Sequence, residues 1–200
     1  MAKTKLEILA KTISPLVEIS TQDLKDSLHY WRFAKFSPKE AFNHRGSIYT
    51  HFGIVINGSF RIYAENLDKN IDHTLFFIRE GDFFVSFRDL NAPTAYTFDI
   101  KALGASEILY ISHDNLEVLY QRSAAWAKFG RIIESKSKDM FIAKLLFYKI
   151  LSAKERYLQL EKSCPDILQW IKQKDIASFI GVTQSTLSKI LKKLGGGRRG

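Results

Sequence analysis

Residues 173–194 read Gln173-Lys174-Asp175-Ile176-Ala177-Ser178-Phe179-Ile180-Gly181-Val182-Thr183-Gln184-Ser185-Thr186-Leu187-Ser188-Lys189-Ile190-Leu191-Lys192-Lys193-Leu194. The apolar residues at 176, 177, 180, 182, 187, 190 and 191 fall where two short crossed helices would bury them. Ala177 is small where the helices approach, Gly181 stands at a turn that needs positive φ, and Thr183 is placed to cap the second helix. Spacing, size pattern and turn residue together predict a helix-turn-helix. Its second helix would expose Gln184, Ser185, Ser188, Lys189, Lys192 and Lys193. In that motif the start of the second helix faces base edges in the major groove. Glutamine can pair bidentately with adenine and lysine can donate to guanine, so Gln184 and Lys189 are candidate base readers. Thr183, with the helix amides, suits a phosphate. Lys172, Lys174 and Lys192 are expected on phosphates, setting register rather than sequence choice.

The charge of the chain supports that reading. Its 200 residues carry 30 Lys and Arg against 21 Asp and Glu, a net +9. An excess of that size favours nucleic acid or an anionic membrane surface. Residues 1–150 hold 20 basic and 17 acidic side chains, a balance of +3, whereas residues 151–200 hold 10 and 4, a balance of +6. The partner-facing element is therefore expected at the C-terminal end, and no membrane partner is expected. Lysines at 3, 5 and 11 interrupt every apolar run in residues 1–19, and no run is long enough to span a bilayer. A cytoplasmic protein is expected. Its single cysteine, Cys164, fits a reducing compartment and excludes an iron–sulfur or all-cysteine metal site within one chain.

Outward from the C-terminal element, residues 124–150 repeat apolar side chains at helical spacing. Trp126, Phe129, Ile133, Lys136, Met140, Ala143, Phe147 and Ile150 alternate steps of three and four, the seam by which two helices interdigitate. A parallel dimer helix is expected, with Trp126, Phe129, Ile133, Met140 and Phe147 at the interface and Lys136 as its weak point. Ser152, with Glu155 at the capping-box position, opens the next helix. Residues 31–111 read instead as short strands. Ile54-Val55-Ile56 and Ser59-Phe60-Arg61-Ile62-Tyr63 flank Asn57-Gly58, a hairpin signal. Further strands are expected at 74–79, 83–87, 97–102 and 107–112, and the absence of helices between them argues for a sandwich or barrel. The fold expected is α+β, divided into a sensor domain (1–122), a dimer helix (123–150) and a DNA-binding domain (151–200).

With this order of parts the chain resembles the Crp/Fnr family of bacterial transcription regulators. The most specific match is Leu151-Ser152-Ala153-Lys154-Glu155-Arg156-Tyr157 followed by residues 173–189, in a form similar to that of Bacteroidetes-type bacteria. The resemblance implies an antiparallel jelly roll of the cyclic-nucleotide-binding type and a winged helix-turn-helix. It implies a homodimer on double-stranded DNA, a small-molecule effector and RNA polymerase as a further partner. The family's base-reading positions fall on Gln184, Ser185 and Lys189. Relatives often carry arginine and glutamate at the first two, so the target sequence does not transfer. The effector pocket would fall on Gly81, Asp82, Phe83, Phe84, Tyr96 and Thr97. Asp82 stands where a glutamate holds the ribose, and Tyr96 where an arginine neutralises the cyclic phosphate. A tyrosine brings no positive charge, which counts against a cyclic nucleotide; Arg88 is the nearest substitute. His44, His51 and His73 leave a haem open. No cofactor or metal is assigned.

Two other functions compete with a regulator. One is a small-molecule-binding module whose helix-turn-helix is vestigial or docks a protein. The other is a cupin-type enzyme, but no His-x-His, Ser/His/Asp set or phosphate-binding glycine loop occurs, so no catalysis is expected.

Overall fold

The computed structural model describes residues 4–42, 51–66, 71–85, 96–165, 168 and 171–196. Two short helices, α1 (Lys5–Ile13) and α2 (Thr21–Ser27), open the chain. The Thr4 hydroxyl accepts from the Glu7 N–H, and the Ser20 hydroxyl from the Asp23 N–H, so each helix starts on a side-chain cap. Seven strands follow: β1 (Arg32–Phe36), β2 (His51–Asn57), β3 (Ser59–Asn66), β4 (Ile71–Arg79), β5 (Phe83–Val85), β6 (Tyr96–Ala102) and β7 (Ser106–Ser112). They form two antiparallel sheets, ordered β1-β7-β2-β5 and β4-β3-β6. Val55, Phe84 and Ile108 of the first sheet pack on Phe60, Ile62, Phe76, Ile78 and Ile100 of the second. The expected α+β class, with antiparallel sheets, is what the chain adopts.

Asn57-Gly58 does turn the chain, but it does not close a hairpin. β2 pairs with β5 and β7, whereas β3 pairs with β4 and β6, so the turn carries the chain from one sheet to the other. Gly58 has φ +82°, and a Cβ there would lie 2.3 Å from the Ser106 hydroxyl. That hydroxyl accepts from the Ser59 N–H at 3.2 Å and fastens the corner to β7. The local chemistry of a tight turn is the same in both cases; long-range pairing decides which one forms.

Ser112 caps α3 (His113–Arg122), and α4 runs over Ala124–Ile150. The first half of α4 belongs to the sensor. Trp126, Phe129 and Ile133, expected at a dimer contact, are 1%, 0% and 6% exposed and pack within their own chain on Trp31, Phe52, Leu116 and the helices α1 and α2. Burying aromatic rings of this size contributes roughly 1.5–3 kcal/mol each, which fixes the helix against the sheet. Gly130 lets the Tyr120 ring of α3 lie against the α4 backbone, since a Cβ would stand 2.6 Å from it. The first three seam positions thus face inward, whereas Lys136, Met140, Ala143 and Ile150 farther along are exposed. A second apolar face is left open opposite Trp126 and Phe129, where Ile142, Leu145 and Leu146 are 49%, 58% and 48% exposed.

A capping box of Ser152 and Glu155 starts α5 (Ala153–Ser163). Then come α6 (Gln173–Ile180) and α7 (Gln184–Gly196). Gly181 joins them at φ +71°, and the Val182 N–H returns to the Ala177 carbonyl at 2.9 Å, the left-handed helix ending that favours glycine. Leu160, Ile171, Ile176, Ala177, Ile180 and Leu187 form the small core beneath this turn. Among the described residues no strand follows β7, so the expected wing has no counterpart there.

Candidate nucleic-acid interface and sensor cavity

The face of α7 is built by the residues it does not bury. Leu187 is fully buried against α6, and Ile190 and Leu191 pack beside it. At about 100° per residue this puts Gln184, Ser185, Ser188, Lys189 and Lys192 on the outward side of the helix. Gln184, Ser185, Lys189 and Lys192 are exposed. Thr183 sits at the start, where its hydroxyl accepts from the Thr186 N–H at 3.2 Å and lies 2.9 Å from that of Ser185. Its oxygen is taken up by the helix cap, so an anion approaching α7 meets the remaining first-turn amides. The other two expected phosphate contacts stand apart. Lys172 precedes α6 and Lys174 lies in its first turn, both exposed. Attraction from Lys174 contributes to holding the Asp72 carboxyl of β4 below the usual carboxylate range. Burial raises that carboxyl, but hydrogen bonding and attraction from Arg61, then Lys174 and Lys101, outweigh it.

A cavity of about 1070 Å³ lies between the β4–β5 turn, α3 and α4. Gly81, Asp82, Phe83 and Phe84 of the expected effector pocket line it, together with Tyr120, Ile133 and Phe141. Gly81 takes φ +88° in the turn. Asp82 accepts the Arg79 N–H at 2.9 Å, and burial raises its carboxyl. Phe84 also fills the sheet core at 3% exposure, in the space left by Gly53, where a Cβ would lie 2.0 Å from the ring. Tyr96 and Thr97 begin β6, and their side chains, like all of Arg88, lie outside the described residues. Asp114, Glu117 and Glu134 also line the cavity, as does Lys136. Burial, with Glu134 and Glu117 adding to it, pushes the Tyr120 hydroxyl up to about 12.

Among the described residues the histidines are not gathered as ligands. His51 packs against Tyr110 at 5.3 Å and is lowered by burial and by neighbouring His113, His73 is exposed on β4, and His44 lies outside the described residues. Among the described residues no group of three or more His, Cys, Asp or Glu is placed to hold a metal ion, and no helix is long and apolar enough to cross a membrane. Sequence reasoning missed a further set: Arg61, Asp72, Lys144, Asp175, Ser178 and Phe179, which join α6 to the sensor. The signal available was the pair of acids at 72 and 175 and the arginine in a strand, residues rarely buried without partners.

Residues 33–123 match the family model of the cyclic nucleotide-binding domain. No curated protein matches the chain in sequence. Among solved structures, the chain is similar to the c-di-GMP-responsive global regulator CLP of Xanthomonas campestris, at 16% identity over 88% of this chain and 92% of that one, with a TM-score of 0.67. It is similar to CooA of Carboxydothermus hydrogenoformans at 18% identity over 98% and 86%, TM-score 0.66. It is also similar to a protein of Eubacterium rectale assigned to the Crp/Fnr family, at 14% identity over 89% and 84%, TM-score 0.67. The chain thus carries a cyclic nucleotide-binding fold within an architecture similar to that of Crp/Fnr regulators.

Proposed function

We propose that the chain is a homodimeric, DNA-binding transcription regulator of the Crp/Fnr type, with α6 and α7 as its helix-turn-helix. The observation that carries this is the outward face of α7. Gln184, Ser185, Lys189 and Lys192 stand open to solvent on a helix whose other side is anchored by buried Leu187 and a left-handed glycine turn. Gln184, Ser185 and Lys189 read bases, while Lys172, Lys174 and Lys192 hold phosphates. Dimerisation uses the exposed face of α4 at Ile142, Leu145 and Leu146, with exposed Met140 and half-buried Phe147 on the same helix. RNA polymerase is the protein partner on the promoter, as the family resemblance implies. An effector occupies the cavity beside Gly81–Phe84. Among its described lining residues Asp82, Asp114, Glu117 and Glu134 outnumber Lys136, which disfavours a cyclic phosphate and favours a ligand of another kind.

The test is DNA binding by the purified chain to duplexes enriched from a random pool, followed by fluorescence anisotropy. A good base-edge contact is worth about 1–3 kcal/mol. The Gln184→Ala/Lys189→Ala variant should therefore lose at least tenfold in affinity for the selected duplex while its thermal melting is unchanged. Equal affinity of variant and parent, or no binding by the parent to any duplex, overturns the proposal.

A further inference from the structure

Four elements meet at a groove of about 200 Å³, walled by Phe76 of β4, Met140 and Phe147 of α4, Leu160 of α5 and Phe179 of α6. Among the described residues, Lys144 of α4 is the one charged side chain in that wall. Its ammonium lies 3.2 Å from the centre of the Phe179 ring, and 4.7, 4.9 and 5.8 Å from those of Phe147, Tyr148 and Phe76.

An ammonium carries three donors. The acceptor in reach is the Phe179 carbonyl at 3.4 Å, which already accepts from the Tyr148 hydroxyl at 2.6 Å. Among the described residues no carboxylate pairs with Lys144. The charge that acts on it is a second cation, Arg156, whose guanidinium lies 5.3 Å from the centre of the Tyr148 ring. Aromatic faces attract a cation only modestly, and no counter-charge offsets the hydration it gives up. The surroundings therefore favour the neutral amine, whose lone pair can attack a carbonyl carbon. In keeping with this, burial first and Arg156 second lower the amine to about 7.

The groove also selects the electrophile. Acyl donors such as acyl phosphates carry an anionic leaving group, and five apolar side chains offer it no partner. An aldehyde brings no charge. A cavity of roughly 150 Å³ holds one benzene ring, so this groove admits a single ring or a short chain. We propose that Lys144 is a covalent capture site for small apolar aldehydes, the ε-amine taking the carbonyl carbon while the hydrocarbon part lies between Met140, Leu160 and Phe179. The nitrogen lone pair forms the C–N bond, the carbonyl oxygen takes both amine protons and leaves as water, and a C=N bond remains. No oxidant, reductant or further reactant is needed.

Benzaldehyde is the probe, added below one equivalent to the full chain at pH 7 with cyanoborohydride, which reduces the imine to a stable secondary amine. Peptide mapping then locates the label. Cys164 also lines the groove, but its hemithioacetal reverts and is not trapped, so the label reads amines alone. Lys144 should label at least tenfold faster than any other lysine, and Lys144→Met should lose that label while the rest persist. A benzaldehyde carrying a sulfonate para to the formyl group should show the preference lowered at least fivefold, because the groove does not receive its charge. Labelling of Lys144 no faster than that of exposed lysines overturns the proposal. An undiminished preference with the sulfonated probe also overturns it, since the amine is then reached from solvent and the groove holds no aldehyde. Both arms are read on the parent chain, and neither bears on DNA binding.

Discussion

At 3.2 Å from the centre of the Phe179 ring, the Lys144 ammonium has exchanged water for aromatic faces. The rings of Phe147 and Tyr148 lie within 5 Å as well, and the ammonium donates to the Phe179 carbonyl at 3.4 Å. Burial, with the positive charge of Arg156 adding to it, lowers this amine from 10.5 to about 7. Its folded-state value is depressed, so between about pH 7 and 10.5 the unfolded chain holds a proton that the folded chain has released. Stability contributed by this site therefore rises with pH across that window and is lost as pH falls toward 7. Lys144→Met removes the titration while keeping an unbranched apolar stem. In urea unfolding at pH 7, 8.5 and 10, the parent should gain stability relative to the variant at each step, and parallel midpoints would show that Lys144 is not depressed. No sequence signal marked this lysine. Its neighbours Phe147 and Tyr148 are local, but Phe179 comes from 35 residues away and turns a helix-surface lysine into a joint between α4 and α6.

Helix α4 shows where periodicity informs and where it misleads. Its limits, Ala124 to Ile150, were legible because apolar residues recur at helical spacing over the full length. Which partner the seam faces was not, since a stripe that fits a second helix equally fits a sheet and two helices of the same chain. Trp126 and Phe129 settle on the sensor, and the uncovered apolar residues Ile142, Leu145 and Leu146 lie on the other side. The same limit governed Asn57-Gly58, where the turn was legible and the partner strand was not. The cap of α5 fared better: Ser152 receives the Glu155 N–H three residues on, a contact wholly contained in local sequence. If the open face of α4 joins two chains, Leu145→Glu places like charges at the centre of the contact. Sedimentation velocity should then show a monomer where the parent is a dimer, with the thermal melt retained because Leu145 packs in no core of its own chain. A variant sedimenting like the parent would remove this face from the interface.

For the whole molecule, the decisive interactions join residues far apart in the chain. Arg61 meets Asp175 across 114 positions, and spacing rules cannot reach that distance. The pairing of α6 and α7 about a glycine turn was legible because Ile176, Gly181 and Leu187 act on one another within a dozen residues; the docking of α6 on β4 was not. The charge balance points to the last consequence. Lys172, Lys174 and Lys192 offer three phosphate contacts per chain, six per dimer. On B-DNA each released counterion contributes a slope of about −0.9 to log K against log salt, so a dimer on two half-sites should show about −5. A chain confined to one half-site should show about half of that. Leu145→Glu, expected to leave monomers, therefore lowers the slope as well as the affinity, whereas Lys192→Ala in an intact dimer lowers it by about two, one contact from each chain. Anisotropy titrations of the enriched duplex from 50 to about 300 mM salt read all three values within the range where the slope is linear. A parent slope near −2, or one that Leu145→Glu leaves unchanged, would mean that one module binds alone.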